Sequence, residues 1–291
     1  MARGRHDGGT RMTREDVSIE ELAERAYRAR EHILAMGATE HGTHVGGSLS
    51  AVDILTVLYG SVLRVRPDEP RWPGRDWFVL SKGHAAAALY AVLAEHGYFP
   101  PQECRTYGQR HSRLAGHPLR RLPGVEFPTG SLGHGLSLAG GVALAASRTG
   151  RDNRAFVLLG DGELQEGSNW EAIMSAAHLG LGNLTAVVDR NGWQISGRTE
   201  ESVGLEPLTD RWRSFGWSVA EVDGHDLAAL RELFGALPRT PGRPTVVIAK
   251  TVKGRGVPLF EDRKKSHYVR LTPRLHERAT AGLRARRRNQ T

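Results

Sequence analysis

The sequence holds a single cysteine, Cys104, so no intramolecular disulfide can form, and one thiol does not build a cysteine-based zinc site. A structural metal would have to rest on oxygen or histidine. Long apolar runs are also missing: no run of consecutive apolar residues approaches the roughly 18 of a membrane-spanning helix. The opening sixteen residues, MARGRHDGGTRMTRED, contain no apolar stretch of the signal-peptide kind. These absences lead to the expectation of a soluble, cytoplasmic protein with no membrane partner. Internal repeats and low-complexity segments are absent from the body of the chain.

An excess of positive charge, +8 over 291 residues, would point to nucleic acid if it were spread over the molecule. It is not. From Arg270 onward seven arginines face only Glu277, and residues 1–16 contribute a further +1, which leaves the body nearly neutral. Residues 270–291 are therefore expected to form a basic, solvated and frayed tail, and nucleic acid is not an expected partner. Residues 1–16 are expected to be a disordered extension. With 39% hydrophobic and 25% charged residues, 17–269 can bury a sizeable core as one large domain.

Ser18 and Glu21 form a capping box for a helix over 18–36, and Ser50 with Asp53 predicts a second helix start, running to about 63. Strands are expected at 76–80, 155–159, 184–189, 217–222 and 245–250, with helices at 85–96, 136–148, 169–179 and 226–235. Strands separated by helices of crossover length argue for an α/β fold: a doubly wound, mostly parallel sheet with helices on both faces. Residues 97–130 show no clear period and are expected to be a shaped loop.

In such a sheet, ligands bind beyond the carboxyl ends of the strands. After the strand at 155–159 comes Gly160-Asp161-Gly162-Glu163-Leu164-Gln165-Glu166-Gly167, and after that at 184–189 comes Arg190-Asn191-Gly192-Trp193-Gln194-Ile195. Asp161 and Asn191 stand one helix and one strand apart, which returns the chain to the same sheet edge and lets the two side chains converge. A carboxylate, an amide oxygen and a nearby carbonyl are hard ligands suited to Mg²⁺ or Ca²⁺, leaving positions for diphosphate oxygens. Each motif alone reads equally well as an ordinary turn; the spacing of the pair is what favours the ligand site.

GDGELQEG followed by N-G-W resembles the thiamine-diphosphate motif of the transketolase family. Further segments resemble that family in order: Thr43-His44-Val45-Gly46-Gly47, Leu80-Ser81-Lys82-Gly83-His84, Ala115-Gly116-His117-Pro118, Thr129-Gly130-Ser131-Leu132-Gly133-His134-Gly135 and Lys253-Gly254-Arg255-Gly256. The resemblance implies the diphosphate-binding (PP) fold for 17–269. It implies that Asp161, Asn191 and the Trp193 carbonyl hold the metal, that Gly130, Leu132 and Gly162 touch the cofactor, and that Ile195 lies beside the thiazolium. Glu166 matches a glutamate that links cofactor sites across a dimer. His44, His84, His117 and His267 fall where the family places histidines around the reacting sugar carbons, and imidazoles suit proton removal and delivery near neutral pH.

The chain departs from the family pattern at Val45, Lys82, Phe127-Pro128, His134 and Tyr268. In the family, the carboxylate that contacts the aminopyrimidine sits in a separate pyrimidine-binding domain, and the chain ends at 291 before one could begin. The resemblance therefore implies the diphosphate-binding subunit of a two-chain transketolase, with a pyrimidine-domain partner in an α₂β₂ assembly and sugar or sugar-phosphate substrates. Two alternatives stay open: a subunit of another thiamine-diphosphate enzyme, such as a 2-oxoacid dehydrogenase or ketol synthase, and a cofactor-free binding protein.

Overall fold

Alternation along five short apolar runs builds the centre of the molecule. In the computed structural model, which describes residues 17–288, these are β1 (Trp77–Leu80), β2 (Ala155–Gly160), β3 (Leu184–Arg190), β4 (Ser218–Asp223) and β5 (Thr245–Lys250). They pair in parallel throughout, in the order β1-β2-β3-β5-β4. Around them run α1 (Ile19–Gly37) and α2 (Val45–Val57) before β1, α3 (Ala86–Glu95), α4 (Gly135–Arg148), α5 (Gly167–His178), the short α6 (Thr199–Ser202) and α7 (Leu208–Ser214) and α8 (Leu227–Gly235) between strands, and α9 (Pro273–Arg288) after β5.

Successive strand residues point to opposite faces, so the sheet feeds two cores. Phe78, Leu80, Phe156, Leu158, Val187 and Val247 pack with α1, α2, α3 and α8. Val79, Val157, Leu159, Val188, Val246 and Ile248 pack with α4, α5 and α7. The expected α/β sheet with helices on both faces is therefore present. The expected extension 1–16 lies outside the described residues.

Ser18 caps α1 as its sequence predicts, its hydroxyl accepting from the Glu21 N–H at 3.1 Å. The second capping box is a correction. Helix α2 starts at Val45, five residues earlier, and every residue from Val45 to Val57 is buried. Ser50 donates to Asp189 and to the Gly47 carbonyl, while Asp53 takes Arg30 and His225. Serine three residues ahead of aspartate reads alike at a helix start and at an interior turn, and only distant partners decide between them. The Val45–Val62 stretch, whose last turn widens to a π-helix over Leu58–Val62, is long and apolar enough to cross a membrane, yet it is 94% buried in this fold.

A second correction concerns the basic tail. Instead of fraying, 273–288 forms α9, which buries Ala279 and Leu283 against the α1 side of the core. Arg286 pairs with Glu261, and Arg287 pairs with Glu24 and stacks over Tyr27. The apolar residues at 279 and 283 are four apart, and the arginine count masked that helical stripe. The stretch 97–130 is irregular apart from a 3₁₀ turn over Pro101–Thr106, and it is held down by Gly108 N–H to the Leu114 carbonyl (2.8 Å) and by the Tyr90 hydroxyl to the His117 carbonyl (2.9 Å).

Candidate functional site

Because Gly160 lies in register with Asp189 on the neighbouring parallel strand, the residues that follow β2 and β3 emerge side by side at the carboxyl edge. Asp161 is buried there. One carboxylate oxygen accepts from the Gly162 N–H (2.8 Å), the other from the Gly192 N–H (2.6 Å) and from Arg190 (3.0 Å). Burial, and then the charge of Asp189, raise the Asp161 pKa, while the Gly192 amide and Arg190 pull it back. A cation bound here would relieve both of the raising influences.

Buried Asn191 turns its amide oxygen back onto the Trp193 N–H at 3.0 Å. The backbone bonds on either side, Thr199 N–H to the Gly192 carbonyl and Gln194 N–H to the Gly197 carbonyl, close a small loop. Among the described residues, no hydrogen bond reaches the Trp193 carbonyl. Nor, among them, does any cluster of three or more His, Cys, Asp or Glu side chains suit a metal. A metal at this edge would therefore rest on one carboxylate, the Asn191 amide and the Trp193 carbonyl, with remaining ligands supplied from outside. That donor set fits a hard divalent cation bound with a diphosphate. Gly162 is a steric requirement: a Cβ on it would lie 2.8 Å from the Cβ of Gln194, which cannot swing away. Gly192 has φ +78°, a conformation that favours glycine.

Sequence reading passed over Glu163, which is buried and ties three segments together. Its carboxylate accepts from the Gly133 N–H (2.9 Å), the Gly160 N–H (3.0 Å) and the Ser81 hydroxyl. That fixes the glycine loop bearing Gly130 and Leu132 against the end of β2.

The four histidines come from four separate segments and meet. His44 stands at the start of α2, His84 in the turn Gly83–Ala85 after β1, His117 in the 97–130 stretch, and His267 just after the turn Lys264–Ser266. Ring centroids of His44 lie 5.3 Å from His84, 6.0 Å from His117 and 5.3 Å from His267; His84 and His267 are 5.6 Å apart. His117 is also the neighbour of Gly130, whose added Cβ would sit 3.7 Å from its ring, so the histidines adjoin the glycine loop.

Burial, then the neighbouring histidines and lysines, lowers His44 to about 4. Burial likewise holds His84 well below its ordinary value, and burial with Lys253 and Lys82 lowers His267 to about 4. These three rings are neutral at pH 7. The Nδ1 atom of His44 is buried with no partner among the described residues, an orphan that a ligand would satisfy.

Two lysines complete the cluster; both lie in segments that resemble the family, but the sequence assigned neither a role in the site. Lys82 and Lys253 are both almost fully buried. Lys82 pairs with Asp189 and donates to the Gly47 carbonyl at 3.0 Å. Lys253 reaches Nδ1 of His267 at 3.3 Å and lies 5.8 Å from the Trp193 ring; burial, with Lys82, lowers it to about 8. The weak signal for Lys253 was its place in Lys-Gly-Arg-Gly directly after a strand.

Other candidates lie at the rim. Gly130, His117 and Glu166 are exposed or half-buried, Leu132 is half-buried, and Ile195 is 70% exposed. Glu166 stands at the N-cap of α5, and the Ser168 hydroxyl in its first turn donates to the Gly133 carbonyl at 2.9 Å. Tyr268 packs edge-on to His44 at 4.9 Å. A cavity of about 580 Å³ lies elsewhere, between α1, α8 and α9, and none of the four histidines lines it.

A parallel sheet whose carboxyl edge carries Asp161, Asn191 and clustered neutral imidazoles has the make-up of a cofactor-binding domain of the thiamine-diphosphate class. The family profile described as "Transketolase, thiamine diphosphate binding domain" matches residues 28–279. The chain belongs to the transketolase family, as the diphosphate-binding subunit of a split transketolase-type enzyme. It is 40% identical over 263 residues to an apulose-4-phosphate transketolase subunit of Phocaeicola vulgatus, covering 90% of this chain and 94% of that one. It is 40% identical over 256 residues to the transketolase-like protein 2 of Bos taurus, covering 88% of this chain but 41% of that protein. The solved transketolase of Campylobacter jejuni superposes with a TM-score of 0.85 at 31% identity, over 91% of this chain and 43% of that one. The chain thus spans about two fifths of the solved transketolases it matches.

Proposed function

We propose that the chain binds thiamine diphosphate with Mg²⁺ or Ca²⁺ and, with a partner subunit bearing a pyrimidine-binding domain, moves a two-carbon ketol unit from a ketose or ketose phosphate to an aldose. The observation that carries this reading is the meeting of four imidazoles from four segments beside the Asp161–Asn191 edge. Asp161, Asn191 and the Trp193 carbonyl would hold the metal, and Gly162, Gly130 and Leu132 would border the cofactor. Bound thiamine diphosphate supplies a thiazolium carbon that cleaves and forms bonds next to a carbonyl.

The chain's own groups handle the protons. Lys253 has only N–H donors, so Nδ1 of His267 accepts, and the neutral ring carries its proton on Nε2. That N–H is free to donate to a sugar oxygen. His44 and His84, neutral at pH 7, are competent to accept a hydroxyl proton. His117 closes the rim.

Relatives whose names mark them as transketolase subunits support a partner chain. We take the assembly to be α₂β₂, with Glu166 facing a second cofactor site, and the compartment to be the cytoplasm, which suits a free, buried Cys104. Asp161→Ala and Asn191→Ala should each abolish metal-dependent thiamine diphosphate binding in the reconstituted complex while leaving the circular dichroism spectrum unchanged. Undiminished binding by calorimetry in both variants would refute the site.

A further inference from the structure

His225, in the turn after β4, takes no part in the site described above, yet its imidazole is engaged at both nitrogens. Its Nε2 accepts from the Val252 N–H at 2.8 Å, and its Nδ1 lies 2.8 Å from an Asp53 carboxylate oxygen. An amide N–H can only donate, so Nε2 must be bare and the ring proton must sit on Nδ1, donated to Asp53. Asp53 is the matching acceptor. Burial pushes its pKa up, but Arg30, at 2.6 Å, and His225 outweigh that and leave it at about 2, fully ionised at pH 7. The His225 side chain is only 6% exposed.

The amide that His225 grips belongs to the residue before Lys253. That loop is bonded almost residue by residue: Thr251 to Asp189 and to the Arg190 carbonyl, Val252 to His225, and Gly254 N–H to the Gly46 carbonyl at 3.0 Å. Asp53 rides on α2, whose first turn presents His44. The dyad therefore braces the helix bearing one site histidine against the loop bearing Lys253.

We propose that His225 is a positioning residue for ketol transfer: oriented by Asp53, it clamps the Val252 amide and thereby sets Lys253 against His267. This rests on the proposed function. The cavity of about 580 Å³ between α1, α8 and α9 reaches both His225 and Asp53, which opens the clamp to small molecules from outside.

The test uses the full chain reconstituted with its partner subunit. His225→Gly should lower kcat by about tenfold to a hundredfold, the scale on which a small displacement of a site group acts. KM for the ketose should change far less. Imidazole, with one donor and one acceptor, should enter the vacated space and restore most of kcat. Pyrrole, of like size but with no acceptor nitrogen, should not, and wild type should be indifferent to both. His225→Gln, keeping a donor and an acceptor, should retain more activity than His225→Gly and covers the case in which the glycine variant fails to fold. Two-bond ¹H–¹⁵N spectra of the wild-type chain should show His225 protonated at Nδ1. Wild-type kcat in both variants, rescue by pyrrole as good as by imidazole, or an Nε2–H tautomer would overturn the inference. Failure of the functional reading would show differently, as a wild-type complex without ketol transfer.

Discussion

Three of the four clustered histidines have lowered proton affinity in the folded chain, and this has consequences for both catalysis and stability. His84→Ala and His117→Ala are expected to reduce ketol transfer by about 10²-fold or more, the usual scale for a positioned acid or base, with cofactor affinity little changed. Turnover at the wild-type rate in either variant would remove that residue from the proton path. Stability follows from the same shifts. His44 and His267 sit near 4 when folded, against an ordinary 6.5. Between those values the unfolded chain binds more protons than the folded one, so stability falls as pH falls through that window. His44→Gln should therefore lose less stability than wild type between about pH 7 and 5 in urea titrations; parallel slopes would contradict the assignment. Which residue types belong here was legible from the motifs around His44, His84 and His117. The lysines were not, because Lys82 finds Asp189 across 107 residues and nothing near either residue announces it.

At the scale of elements, local rules held where the element's ends are exposed and failed where they are buried. The α1 cap at Ser18 is solvent-facing and local, so Ser18→Ala should cost about 1 kcal/mol in chemical denaturation, typical of a lost N-cap. The buried Ser50 and Asp53 imitate that signature inside α2, and partners on β3 and beyond β4 give them another use. Helix α9 follows the same logic in reverse. Its arginine-rich sequence reads as tail, yet Leu283 is 3% exposed and docks in the core. Leu283 also borders the 580 Å³ cavity, so part of its contact shell is already missing. Leu283→Ala should therefore cost about 2 kcal/mol, the lower end of the range for such truncations. A denaturation midpoint equal to that of wild type would mean that α9 does not dock in solution.

For the whole molecule, the site lies open on one side. Ile195 and Tyr268 border it at 70% and 52% exposure, large apolar surfaces of a kind that a partner commonly covers. The purified chain alone is expected to show no ketol transfer, and addition of a pyrimidine-domain subunit should restore activity and tighten thiamine diphosphate binding through linkage. Sedimentation of the mixture should show a heteromeric complex. Sustained turnover by the chain alone would refute the two-chain reading.

The five strands, most of the longer helices, the parallel α/β architecture and the placing of Asp161 and Asn191 at one sheet edge are legible in the sequence. These follow from short-range periodicity and from the rule that parallel strands return to one edge, so they can be read within a window of a few dozen residues. The short helices α6 and α7 escaped because four and seven residues carry too little period. Tertiary structure alone decided the pairing of Lys82 with Asp189, the clamp from Asp53 through His225 to Val252, the bracing of the glycine loop by Glu163 and the docking of α9 on the α1 side of the core. The polar contacts satisfy groups that are distant in the chain once they are buried, α9 covers apolar surface far from it in sequence, and burial is a property of the packed molecule that no local stretch of sequence contains.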